Sequence, residues 1–141
     1  MRFEGCAAVA VVIGYLMLLA GPAASLAASI DSSLFGAWTT SEADCKRLFV
    51  RSGGGFAFRQ PVDKFAQATI IGAQEILTPA STCRIQSATH VKDAVRIAAE
   101  CHDTISYTSQ DVQIRVKSPG EIIYSPTGDS ALDTSLVKCG M

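Results

Sequence analysis

What this sequence lacks narrows it before anything it contains. It has no C-x-x-C pair and only two histidines, so a zinc ribbon or a tight His/Cys ligand cluster has no basis. No glycine-rich phosphate loop stands between a strand and a helix. Lysine and arginine number 12 against 13 acidic residues, a net charge of −1, where a nucleic-acid binder would carry a large basic excess. No internal repeat or low-complexity stretch is present, and Ser, His, Asp and Glu form no spaced catalytic dyad. The expectation is therefore no catalytic residue, no metal, no cofactor and no nucleic-acid partner.

The amino terminus carries the one long apolar run. Ala7–Ala20 is uncharged, the length of a signal-peptide core and short for a membrane span. Gly21-Pro22 breaks a helix after it, and Ser25-Leu26-Ala27 offers the small–x–small pattern of a cleavage site. Residues 1–27 read as a secretory signal peptide, with membrane contact only before cleavage. The rival is a retained anchor, since no charge falls between Gly5 and Ile30, but Gly21, Pro22 and the Ala/Ser-rich text after them fill a membrane poorly. Cys6 precedes the apolar run, is no lipoprotein cysteine, and leaves with the leader. Residues 28–33 then form a short, mostly polar lead-in to a single domain over 34–141, and the mature protein is expected in the periplasm or secreted.

Loss of Cys6 turns five cysteines into four: Cys45, Cys83, Cys101 and Cys139. An even number in a small exported domain reads as a disulfide framework with three possible connectivities. The text around them is strand-like. Leu34–Thr39, Gln67–Ile71 and Glu75–Thr78 are short extended segments. Val112, Ile114 and Val116 alternate with polar residues, the period of a half-buried strand. Ser118-Pro119-Gly120 turns the chain into the partner strand Glu121–Tyr124, and Ser109-Gln110-Asp111 reads as a similar break after Thr104–Thr108. Ser41 and Asp44 sit as a helix start, predicting one or two turns through Phe49.

His90–His102 fits either a helix or a strand. A hairpin of Thr82–Thr89 with Val95–His102 explains more. It sets Cys83 opposite Cys101, Arg84 opposite Glu100, Ile85 opposite Ala99, Ser87 opposite Ile97 and Thr89 opposite Val95. It also pairs Cys83 with Cys101 and so leaves Cys45 for Cys139. His90 and His102 then stand at opposite ends, unable to share a metal. Asp103 faces away from His102 and is badly placed to orient it.

Lys46–Phe65 interleaves Lys46, Arg47, Arg51, Arg59 and Lys64 with Phe49, Phe56, Phe58 and Phe65 around a glycine loop. The favoured reading is a hairpin whose Phe side chains enter the core beneath an outer basic face. The sharper one is a contact surface made of Arg51, Ser52, Gly53, Gly54, Gly55 and Arg59. Three glycines in a row cost folding entropy and pack nothing, and the flanking guanidiniums suit carboxylates or phosphates. The partner on that reading is a protein or an anionic envelope component.

Gly36-x-Trp38 followed by Cys45, then Cys83-x-Ile85, Ala99-x-Cys101 and a terminal Lys138-Cys139, resembles a group of small exported disulfide-containing proteins of alphaproteobacteria. The resemblance covers most of the mature chain and implies a small disulfide-bonded β domain, with no activity attached. Ser52-Gly53-Gly54-Gly55 is loosely similar to the Ser-Gly-x-Gly loop of periplasmic lysozyme inhibitors of β-barrel type. Tyr124-Ser125-Pro126-Thr127-Gly128 lacks the lysine of those inhibitors' second segment.

The expected fold is an all-β antiparallel meander, closed or nearly closed into a small barrel, with at most one short helix near the mature start. The expected function is non-enzymatic binding or inhibition in the periplasm. A structural or envelope-stress protein without a specific ligand is the alternative, and a metal-free hydrolase comes third. A pocket would favour binding; a core plugged by Trp38 with no pocket would favour the structural role.

Overall fold

The computed structural model describes residues 29–140; the expected leader, with Cys6 and the cleavage region, lies outside them. Among the described residues the strands are β1 Gly36–Thr39, β2 Phe49–Ser52, β3 Gly55–Phe58, β4 Ala68–Ile71, β5 Glu75–Leu77, β6 Thr82–Val91, β7 Ala94–His102, β8 Tyr107–Ser118, β9 Glu121–Ser125 and β10 Thr134–Lys138. One α-helix, α1, spans Glu42–Leu48. Eight strands close an antiparallel barrel in the order β1-β10-β9-β8-β7-β6-β5-β4, while β2 and β3 form a separate two-stranded sheet. Closure leaves the barrel without an unpaired edge.

Alternation along each strand sorts the side chains into two apolar layers. Inside the barrel, Trp38, Ile71, Ile76, Ile97, Val112, Ile114, Ile122 and Leu136 make a continuous core. Outside it, Ala37, Ala68 and Ile70 of β1 and β4 meet Cys45, Leu48 and Phe49, which belong to α1 and β2. β4 is therefore buried on both faces, which is why ATII reads as an unbroken apolar run. Both disulfides form as the hairpin register predicts. Cys83–Cys101 joins β6 to β7, and Cys45–Cys139 ties α1 to the residue after β10.

Several local expectations need correction. β6 and β7 pair as expected for Cys83↔Cys101, Arg84↔Glu100 and Ile85↔Ala99, but a bulge then shifts the register, giving Ser87↔Ala98, Ala88↔Ile97 and Thr89↔Arg96. The extra residue turns Ala88 inward and Ser87 outward, so a small apolar side chain replaces a hydroxyl in the core. No break occurs at Ser109–Asp111: β8 runs straight through, because Glu100, Ala99 and Ala98 of β7 supply a ladder partner to each of those residues. The turn lies earlier, where Asp103 accepts bonds from the N–H groups of Ile105 and Ser106, both at 2.8 Å. Val116 is exposed rather than half-buried, since β7 ends at Ala94 opposite Arg115 and leaves it no neighbour on that side. At the start of α1 the Ser41 hydroxyl caps no N–H; it donates to the Asp44 carboxylate at 2.8 Å. The lead-in is not peripheral: Ile30 is buried and belongs to the barrel core.

Candidate functional site

Antiparallel connections alternate between the two ends of a barrel, and here the ends differ. One end holds the β6–β7 and β8–β9 turns, the start of β1 and the end of β10. The chain closes that end with its own lead-in: Ser32–Leu34 form a short 3-10 helix, and Ile30 and Leu34 enter the core. Trp38 Nε1 donates to the Leu34 carbonyl at 2.9 Å, and Lys138 Nζ donates to the Ser33 carbonyl at 2.7 Å. Lys138 also lies over the Trp38 ring, 5.4 Å from its centroid.

The opposite end carries the segment entering β4 and the β5–β6, β7–β8 and β9–β10 connections. β9 ends at Ser125 opposite Gln113, so β8 runs on to Tyr107 with no β9 partner beyond that point. The wall is therefore high along β7 and β8 and low at β9, β10 and β4. A pocket of about 330 Å³ occupies the low side. Its floor is Thr69, Tyr124 and Leu136; its sides come from Ala66, Ala68, Thr78, Pro79, Pro126 and Leu132; Lys64 stands at its rim. The volume lies at the small end of the range for ligand sites.

The floor is less polar than its composition suggests. Thr69 Oγ1 donates to the Leu77 carbonyl at 3.1 Å, and Thr78 Oγ1 donates to the Ser81 carbonyl at 3.2 Å. Thr134 Oγ1 is turned to the Leu132 carbonyl at 3.5 Å. Burial pushes the Tyr124 hydroxyl up to about 12, with a hydrogen bond to Thr69 acting in the opposite direction, so Tyr124 presents a neutral phenol. Around the same end stand four large apolar side chains open to solvent: Phe65 at 96 %, Ile105 at 93 %, Tyr107 at 78 % and Leu132 at 51 % exposure. Among the described residues, the closed end leaves two large apolar side chains exposed, Val91 at 42 % and Val116 at 55 %.

The residues singled out from the sequence fall elsewhere. Arg51, Ser52, Gly53, Gly54 and Gly55 form the tip of the β2–β3 hairpin. Gly53 and Gly54 have φ of 55° and 80°, the left-handed conformation that a two-residue hairpin turn demands. Those two glycines are accounted for by the turn, and only Gly55 is not. The Arg51 guanidinium sits over the Phe56 ring, 4.6 Å from its centroid. Arg59 lies at the far end of the hairpin, where Nε and Nη2 donate to the Lys46 carbonyl at 3.1 and 3.0 Å. The two arginines are not brought together. Gly54, Gly55 and Phe56 do border a groove of about 360 Å³ against β4 and β5, but its one ionisable residue is Glu75.

Of the hairpin's aromatics, Phe49 is buried and Phe56 and Phe58 are half-buried against the outer core layer, as the favoured reading has it. Phe65 is the exception, since it points to solvent beside the pocket. His102 stacks on Tyr107 with centroids 5.4 Å apart, while His90 pairs with Val95 near the turn at the other end. Asp103 turns to its own loop rather than to His102. Hydrogen bonds from the Ile105 and Ser106 N–H groups and the Ser106 hydroxyl, with a smaller contribution from Lys64, hold its carboxyl below the usual range. Sequence reading singled out Lys64 only as one of the basic residues of the Lys46–Phe65 segment, and tied neither Tyr124 nor Leu132 to a site. The available signal was large apolar residues, Phe65, Ile105 and Leu132, set in turn-forming text where no strand would bury them.

Fold and site together define a small disulfide-stapled antiparallel β-barrel, sealed at one end by its own lead-in and carrying an apolar pocket at the other. No protein-family model, no curated protein and no solved structure matches the chain. The two disulfides fit an oxidising compartment.

Proposed function

We propose that this chain is an exported, periplasmic binding or inhibitor-like protein that performs no chemistry on its ligand and takes it at the open end of the barrel. The observation that carries the reading is the contrast between the ends. One is closed by packed residues of the chain itself; the other keeps a 330 Å³ pocket bordered by solvent-exposed apolar side chains. Apolar surface left open in this way costs solubility, and on a small protein it marks a contact surface. The leader-like text of residues 1–27 and the two disulfides support export. A structural role without a ligand draws its support from the barrel axis, where Trp38 and the isoleucines pack as one core.

The test uses N-phenyl-1-naphthylamine, a neutral apolar fluorophore. The mature protein is expected to bind a single equivalent with enhanced fluorescence. Ala80 lines the pocket from an exposed loop position, and Ala80→Trp, which fills it, is expected to abolish binding at an unchanged melting temperature. Joint replacement of Arg51 and Arg59 by Ala is expected to leave binding intact. Equal binding by wild type and Ala80→Trp would remove the pocket from the reading, and no binding by wild type would favour the structural role.

A further inference from the structure

We infer that the occupant of the open end is a free single-chain amphiphile with a monoanionic head, its chain on the Tyr124–Leu136 floor and its head at Lys64; this rests on the reading of the open end as the binding site. The pocket selects against a polar ligand because its threonine hydroxyls are committed to backbone carbonyls and its phenol is buried. What remains to face a ligand is mainly methyl, proline and leucine surface, with the exposed Gln67 amide as the one other polar side chain in the lining. Its volume gives room for roughly ten water-sized groups, matching a chain of about eight carbons and a small head. A longer chain goes no deeper, since the barrel axis beneath is filled, and its remainder lies at the open mouth.

The head is set by charge. Lys64 is the one ionisable lysine, arginine or carboxylate in the pocket lining. It takes part in none of the four ion pairs among the described residues. Of the carboxylates near it, Asp63 pairs with Arg47 at 3.5 Å, and Asp103 bonds within its own loop, attracting Lys64 through charge but forming no contact pair with it. An ammonium at the lip of an apolar pocket, outside any contact ion pair, complements a single negative charge. Because Lys64 is exposed, its preference for an anion is modest and sensitive to salt.

The experiment is displacement of N-phenyl-1-naphthylamine by octanoate, octanol and octyltrimethylammonium at neutral pH. Octanoate is expected to bind about three- to fivefold more tightly than octanol at about 0.02 M salt, with the difference shrinking at about 0.5 M. Octyltrimethylammonium is expected to bind more weakly than either. Lys64→Gln should bring octanoate to the octanol level without changing octanol, and Ala80→Trp should weaken all three. Equal affinity for octanoate and octanol, both lost in Ala80→Trp, would overturn the anionic head and leave the pocket standing. Displacement by none of them, with the fluorophore still bound by wild type and lost in Ala80→Trp, would overturn the amphiphile and leave the pocket standing. Flotation with phosphatidylglycerol vesicles tests the other source of the same chemistry, and vesicle recruitment without octanoate binding would overturn the free amphiphile.

Discussion

The long disulfide is expected to carry more of the stability than the short one, and the structure allows the difference to be worked out. Cys45 and Cys139 are 94 residues apart in sequence, against 18 for Cys83 and Cys101. On the chain-entropy account the long bridge removes about 4.6 kcal/mol of unfolded-state freedom and the short one about 3 kcal/mol. Context widens the gap. Cys83 and Cys101 are already direct partners in the β6–β7 ladder, so a hairpin persisting in the denatured state would hold them near each other anyway. Cys45 and Cys139 instead fasten α1 and the hairpin layer to the barrel, with both sulfurs buried beside Ala37, Leu48 and Phe49. Replacing them with alanine also thins that layer, adding on the order of 1 kcal/mol. The total, about 5.6 kcal/mol, equals the whole stability of a domain at the low end of the usual range. Urea unfolding of the Cys45→Ala/Cys139→Ala and Cys83→Ala/Cys101→Ala variants measures it. The first should unfold at the lower urea concentration, or fail to fold at 37 °C, while the second stays folded. A long-bridge variant as stable as the short-bridge variant would refute the reasoning, as would a non-reduced peptide map linking Cys45 to Cys83 or Cys101.

Tyr124 should confer an alkaline limit. Its hydroxyl is raised from 10.0 to about 12, so the fold favours the protonated form; that stability is complete below pH 10 and is lost as pH rises through about 12, by roughly 2–3 kcal/mol. Urea midpoints of wild type and Tyr124→Phe across that range would show it, and an identical alkaline loss in the variant would assign the effect elsewhere. Trp38→Phe deprives the Leu34 carbonyl of its donor and opens space under the closed end, an expected cost of about 2–4 kcal/mol by urea unfolding. Gly54→Ala should cost about 1–2 kcal/mol because its φ is 80°, whereas Gly55→Ala, with only ordinary contact to the Ser52 carbonyl, should fall within about 0.5 kcal/mol of wild type. If Gly55→Ala alone were to disrupt fluorophore binding, the hairpin tip would replace the pocket as the site.

How much was legible depends on the range of the interactions involved. The alternation at Val112 and Ile114, the turn at Pro119-Gly120 and the pairing of Cys83 with Cys101 rest on neighbours along the chain or across one hairpin, and these were readable. The bulge after Ile85 was not, because it answers to which β6 side chain packs inward beside Ile97 and the rest of the barrel core. The continuity of β8 through Ser109–Asp111 was hidden for the same reason: polar residues favour a break locally, and a paired β7 overrides them. Arg51 and Arg59 looked like a pair because eight positions of sequence separate them around a glycine turn. The hairpin instead places one at its tip and the other at its base, on the Lys46 carbonyl.

The sequence by itself determined the class of fold, because strand period, turn residues and cysteine count are local quantities that leave few ways to close a small β domain. It also determined which layer most apolar residues join, since alternation along a strand commits them. Only the tertiary structure decided where a ligand could enter. The difference between the two ends comes from the stagger of β8 against β9, the docking of Ile30 and Leu34 under Trp38, and the convergence of three other segments on Tyr124. None of these is a property of any one stretch of chain. Lys64 becomes the lone cation of a pocket only when the segment entering β4, the β5–β6 connection and the start of β10 meet at the same end of the barrel.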